Sequence, residues 1–189
     1  ATTNAVGVNY SDKWGKKIKV SGSYFFNAVD NVAASALTRS YFTTVSNGLN
    51  YNESNTSNNN NNNHRANFRL EYTIDSANSI TITPKLNLQQ NQTNSTVLGT
   101  SLQPENVLIS NTENQTSSAT DGYTFSNNTL LQHKFRKKGR TVSLNIANDL
   151  DDKNGKGTLF SGSNYYFPAD TIQTDQHYTQ LTNGYTHSA

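Results

Sequence analysis

Ala66-Asn67-Phe68-Arg69-Leu70-Glu71-Tyr72-Thr73-Ile74, then Asp75-Ser76-Ala77-Asn78, then Ser79-Ile80-Thr81-Ile82-Thr83-Pro84-Lys85-Leu86-Asn87-Leu88-Gln89 is the most regular part of the chain. Ala66, Phe68, Leu70, Tyr72 and Ile74 fall on one side of an extended chain, and Asn67, Arg69, Glu71 and Thr73 on the other. Past the turn, Ile80, Ile82, Leu86 and Leu88 oppose Thr81, Thr83, Lys85, Asn87 and Gln89. A period of two is the signature of a strand with one apolar face. Pro84 sits mid-strand on that face, where it removes a ladder donor and predicts a bulge or irregular pairing.

The same hairpin recurs on either side. Val6, Val8 and Tyr10 precede the turn Asp12-Lys13-Trp14-Gly15, and Ile18, Val20, Gly22, Tyr24 and Phe26 follow it on the matching face. A third hairpin runs from Tyr123-Thr124-Phe125 to His133-Lys134-Phe135, turns at Lys137-Lys138-Gly139, and returns through Val142-Ser143-Leu144-Asn145-Ile146. The spacing between turns, roughly sixty residues, is far longer than a soluble meander needs. Polar stretches separate the copies: 28–63, with Tyr41-Phe42-Thr43-Thr44-Val45 as an extended arm and the Asn58 to Asn63 run; 90–122; and 149–177. These are expected to be long solvated loops. A seventh strand follows the last of them.

Short turns at one end and long polar connections at the other are the layout of a transmembrane β-barrel. The expected fold class is therefore all-β, an antiparallel up-and-down transmembrane β-barrel segment of about seven meander strands with short periplasmic turns and long extracellular loops. Residues 1–189 read as one partial outer-membrane barrel domain, incomplete at both ends, because both ends read as strand interiors. With the turns on the periplasmic side, Tyr10, Trp14, Tyr72 and Phe135 fall near one membrane interface, and Tyr24, Phe26, Tyr123 and Phe125 near the other. Two such levels form an aromatic girdle. Arg69, Glu71 and Lys85 are aimed into the lumen.

Composition agrees with many strands and no ordinary core. Only 32% of residues are hydrophobic and 15% charged, while aromatics reach 10% with three prolines. A lipid-facing strand needs an apolar residue only at every second position, so a mean hydropathy of −0.75 is compatible with a barrel. The net charge of +2 is too small to imply a polyanion partner, and the absence of Cys excludes disulfides and thiolate metal sites.

Several runs carry a family likeness. Tyr10-Ser11-Asp12-Lys13-Trp14-Gly15-Lys16-Lys17 with Val20-Ser21-Gly22-Ser23-Tyr24-Phe25-Phe26-Asn27 resembles the outer-membrane β-barrel family of Bacteroidota, akin to the barrel domain of TonB-dependent receptors. His64 to Asp75 with Asn78-Ser79-Ile80 resembles that family's next hairpin, and His133 to Thr141 the third. The resemblance implies a large barrel of which this chain is a middle portion, located in the bacterial outer membrane. It implies a TonB-dependent-receptor-like transporter for nutrient uptake. The implied partners are outer-membrane lipid, the missing barrel strands and plug of the same protein, a TonB-type energy-coupling system and an extracellular ligand. The alternative is a soluble extracellular β-sandwich adhesin or glycan-binding module, with Tyr165-Tyr166-Phe167 or Tyr41-Phe42 as contact aromatics. A third reading is a channel or assembly scaffold without TonB coupling.

Nothing in the sequence predicts catalysis, a cofactor or a resident metal. His64, His133, His177 and His187 lack the spacing of a zinc site. Asp149, Asp151, Asp152 and Asn154 resemble a calcium loop only faintly, since Lys153 and Lys156 interrupt them and no closing Glu follows. Lys13, Lys16, Lys17 and Lys19, and Arg136, Lys137, Lys138 and Arg140, read as solvated turns beside anionic headgroups. A nucleic-acid site would want such charges on one face with interleaved stacking aromatics; solvated turns are the preferred reading, and no nucleic-acid partner is expected.

Overall fold

A computed structural model of the chain describes residues 1–42 and 48–189. Seven strands form one antiparallel sheet in the order β1-β2-β3-β4-β5-β6-β7, every neighbour in space being a neighbour in sequence. They are β1 Thr2–Trp14, β2 Ile18–Tyr41, β3 Leu49–Thr73, β4 Asn78–Leu102, β5 Leu108–Lys134, β6 Thr141–Tyr166 and β7 Ala169–Ser188. β1 and β7 each pair on one side only, so the sheet is open and not closed as a barrel.

The seven-strand meander agrees with the sequence reading; the long loops do not. The stretches 28–63, 90–122 and 149–177 are mostly strand, and the Asn58 to Asn63 run lies inside β3. The distal connections shrink to 42–48, 103–107 and 167–168, similar in length to 15–17, 74–77 and 135–140 at the other end. Of the arm Tyr41 to Val45, Tyr41 ends β2 and residues 43–45 lie outside those described. The physical reason is that a ladder satisfies backbone groups whatever the side chains, and here the side chains add to it. Asn63 Nδ2 donates to Asn27 at 3.2 Å, Thr93 Oγ1 to Asn59 at 3.1 Å, Ser95 Oγ to Asn55 at 3.1 Å and Ser161 Oγ to Asn114 at 2.6 Å. Each is a cross-strand pair, the unit that stabilises a sheet.

Pro84 has the effect expected of it in part. Between β3 and β4 the pairing runs Asn67↔Lys85 and resumes at Leu70↔Ile82 in the same register, so the ladder is interrupted without a bulge. The register shift lies elsewhere, at Ser101/Leu102 between β4 and β5. Near the turns, Gly15 (φ 71°) and Gly139 (φ 78°) take the left-handed conformation that tight reversals require. Adjacent turns are tied together: Thr73 N donates to the Lys17 carbonyl at 2.8 Å, and Lys17 Nζ to the Ile74 carbonyl at 2.6 Å.

There is almost no conventional core. Among the described residues Val20 is the buried large apolar side chain, at 2% exposure, while Val8 is 62% and Val142 54% exposed. A single layer cannot cover its own apolar face.

Candidate functional site

The register sorts every strand residue onto one of two faces. Near the turns, one face carries successive ladder rows. The first is Trp14–Ile18–Tyr72–Ile80–Leu131–Leu144, and the next Asp12–Val20–Leu70–Ile82–Thr129–Ile146. Farther along come Val8–Tyr24–Ala66–Leu86–Phe125–Leu150–Tyr185 and Val6–Phe26–His64–Leu88–Tyr123–Asp152–Asn183. One row beyond, the face turns polar on three adjacent strands at once, at Asn62, Gln90 and Asp121; on β6 it is polar one row earlier, at Asp152. The apolar band thus has an edge that follows the ladder. From Ile80 to Leu88 it spans about 27 Å along the strand at roughly 3.4 Å per residue.

The girdle residues all lie on this face or at its turn-side end. Trp14 and Tyr72 share the first row, with Phe135 just past β5, while Tyr24 with Phe125 and Phe26 with Tyr123 share the two outer rows. Tyr10 stands farther in, opposite Gly22, and its hydroxyl reaches back toward the turn. Trp14 Nε1 donates to Tyr10 Oη at 3.1 Å, which donates to Asp12 at 3.2 Å. His64 lies 4.7 Å from the Phe26 ring centroid and bonds Tyr24 Oη at 2.7 Å; His133 meets Phe135 edge-on at 4.8 Å.

The middle row of the band carries a polar notch. Beside Pro84 the middle row reads Asn127–Asn148–His187, with His187 Nδ1 hydrogen-bonded to Asn148. Asn127 donates to Thr129 at 3.1 Å, but its Oδ1 is buried without a partner.

The opposite face is mostly polar, with Phe25, Leu130 and Leu159 among its exceptions. Arg69, Glu71 and Lys85 all lie on it, but only the first two meet: Arg69 Nε donates to Glu71 at 2.8 Å. The third member is Lys19, at 3.6 Å from Glu71 and directly opposite it in the β2–β3 register. Its position two strands from Lys85 becomes readable only once that register is fixed. Lys85 instead pairs with Asn67 and Ser126. From Tyr51 to Asn60 on β3, the residues of this face are half-buried and those of the other exposed, as happens when a sheet curls around its polar side.

The would-be calcium loop is strand. Alternation along β6 sends Asp149 and Asp151 to the polar face and Asp152 and Asn154 to the other, so their oxygens do not converge. Among the described residues no cluster of three acidic or histidine side chains is poised for a metal. At the distal end, Tyr51 Oη donates to Glu53 at 2.8 Å, and this hydrogen bond, with burial, raises the phenol above its ordinary range. At the turn end, Asp75 accepts from the Asn78 side chain and from the Ala77 and Asn78 amides, which hold its carboxyl below the usual range. Compared with models of known protein families and with curated proteins, the chain matches none of them.

Proposed function

We propose that the chain forms part of the wall of a bacterial outer-membrane β-barrel, with the apolar band against lipid and the polar face toward a lumen. The observation that carries this reading is the band's edge, shared by one ladder row on three neighbouring strands, β3, β4 and β5. Its length on β4, from Ile80 to Leu88, lies at the short end of the roughly 9–11 residues with which a tilted strand crosses a bilayer. Energetics support the same reading. Covering a Val, Leu, Ile or Phe side chain is worth about 1.5–3 kcal/mol, so the whole band represents tens of kcal/mol against a domain's net stability of about 5–15. A face of that value does not stay in water.

The likeness of the three hairpins to the Bacteroidota family extends the proposal to a TonB-dependent-receptor-like transporter for nutrient uptake. The wall frames a lumen occupied by a plug, further strands complete the barrel, and a TonB-type system supplies energy. A soluble sandwich fits less well, because β3 beyond His64 has polar side chains on both faces and no face for a second sheet. Tyr166, Phe167 and Phe42, exposed at the distal tips, suit contact with an extracellular ligand in either reading.

Trp14 is the single tryptophan, so its fluorescence reports one site. After refolding with phosphatidylcholine vesicles carrying depth-graded quenchers, interfacial quenching with β circular dichroism only in lipid is expected. A β spectrum in plain buffer with Trp14 untouched by quenchers sinks the barrel and favours the soluble module.

A further inference from the structure

Immediately beyond the apolar band, the same face presents two rows with carboxamides at their β3 and β4 positions: Ala28–Asn62–Gln90–Asp121–Asn154 and Asp30–Asn60–Gln92–Ala119–Lys156. A shallow groove crosses β3, β4 and β5 there, lined by Asn60, Asn62, Gln90, Gln92 and Asp121 around the short side chain of Ala119. We infer that this belt docks the sugar head of a glycolipid in the outer leaflet. The inference rests on the barrel reading above and names the lipid partner that reading leaves open.

Position comes first. The belt continues the apolar band without a gap, so with the band in acyl chains, these rows meet the headgroups within about 7–13 Å of its edge at ~3.4 Å per residue. Chemistry selects the headgroup. Phosphate recognition uses Arg and Lys, yet beyond the band Lys156 is the only Lys or Arg on this face among the described residues. A carboxamide instead offers a donor and an acceptor side by side, the complement of hydroxyls that both give and take hydrogen bonds. The groove is also set for it. Asn60 Nδ2 is held by Asp30 at 2.6 Å and Asn62 Nδ2 by Asn60 at 3.2 Å, whereas Gln90 and Gln92 make no side-chain hydrogen bond among the described residues. Two neighbouring amides on one strand therefore keep their full capacity on a rigid ladder.

The test uses the full chain refolded into phosphatidylcholine vesicles containing either rough lipopolysaccharide, which carries core sugars, or lipid A without them. Glycolipid retained after mild detergent extraction is measured. The chain is expected to retain lipopolysaccharide over lipid A, and the double variant Gln90→Leu/Gln92→Leu to lose about tenfold of that retention, the scale of one or two hydrogen bonds. The control Gln89→Leu, on the opposite face of the same strand and outside the groove, is expected to retain it. Equal retention of lipid A and lipopolysaccharide, an unchanged Gln90/Gln92 variant, or equal loss in both variants overturns the docking. If β structure forms and Trp14 is quenched in plain phosphatidylcholine but no glycolipid is held, docking alone fails. If neither happens in any vesicle, the barrel reading fails and takes the docking with it.

Discussion

Between Tyr72 and His64, β3 alternates apolar and polar side chains; between Asn63 and Tyr51 the same strand carries mostly Asn, Ser and Thr on both faces. The ladder runs through both halves in one register, from Ile18↔Tyr72 to Tyr41↔Leu49 on one side. What differs is the reason for being a strand. Near the turns, one face must leave water, and the period of two follows from that demand. In the distal half no face is driven out of water. Pairing there rests on backbone hydrogen bonds, cross-strand amide and hydroxyl contacts, and the register inherited from the hairpin below. The contrast teaches that hydropathy marks only the half of a strand whose surroundings are apolar.

The two halves of β3 should differ most in their response to a charge placed on the same face of each. Leu70→Arg puts a guanidinium between Val20 and Ile82 in the band, and should cost about 2–4 kcal/mol of folding stability in lipid. Asn58→Arg sits on the same face, exposed, in the distal half, and should stay within about ±0.5 kcal/mol. Denaturant titration in phosphatidylcholine vesicles reads both. Equal costs would mean that the band is not in a different medium from the rest of the sheet.

The distal half has its own point of close packing. A Cβ added to Gly122 would lie 2.6 Å from the Asp152 carbonyl oxygen and 3.1 Å from Lys153 Cα, both backbone atoms. Gly122→Ala should therefore cost about 1–3 kcal/mol. At Gly155 the nearest atom to such a Cβ is 3.6 Å away, and Gly155→Ala should be neutral or slightly stabilising, by up to about 1 kcal/mol. A comparable loss at both sites would show that distal strands tolerate no change at all, contrary to a ladder held by backbone. In the band the complementary test is Asn127→Leu. It removes a buried oxygen without a partner and extends the apolar face, and should stabilise the lipid-folded state by about 1–2 kcal/mol. Destabilisation would mean that the notch beside Pro84 serves a polar neighbour.

How much of this was legible in the sequence divides along the same line. The three hairpins, the faces of Phe68, Leu70, Ile80 and Ile82, the seventh strand and the trouble at Pro84 all follow from alternation or backbone chemistry. The strand character of 28–63 does not, because a run such as Asn58 to Asn63 carries no contrast between its faces and has low intrinsic strand preference. It is drawn into the sheet by Asn27, Asp30 and Thr93 on its neighbours, contacts fixed by register and invisible to local pattern. The polar cluster fared similarly. Arg69 and Glu71 are neighbours on one strand face and can be paired from sequence; Lys19 joins them from β2 and can be found only by counting back from the turn. The calcium-like run at Asp149 fails for the converse reason. Read as a loop its oxygens could converge, and as strand they cannot.

The smallest effect distinguishes the two ends by pH. Asp75 holds the β3–β4 turn through hydrogen bonds that need its ionised form, and these lower its folded pKa. The turn's added stability is thus present above the unfolded value of about 3.9 and is lost as pH falls through the folded one. Tyr51 is the opposite case: its neutral hydroxyl donates to Glu53 and its folded pKa is raised. That contribution is complete below the unfolded value of about 10 and is lost as pH rises through the folded one. Between them the distal ladder of Asn, Ser and Thr does not titrate. Hydrogen exchange at Ala77 and Asn78, corrected for intrinsic rates, should therefore accelerate in acid while amides around Asn58 hold. Amides beside Tyr51 should loosen only in strong alkali, and Asp75→Asn should abolish the acid step at the turn. Acid loosening at Asn58 of the same size would mean that the distal strands depend on the turn for their pairing, and that register is transmitted along the ladder from one end.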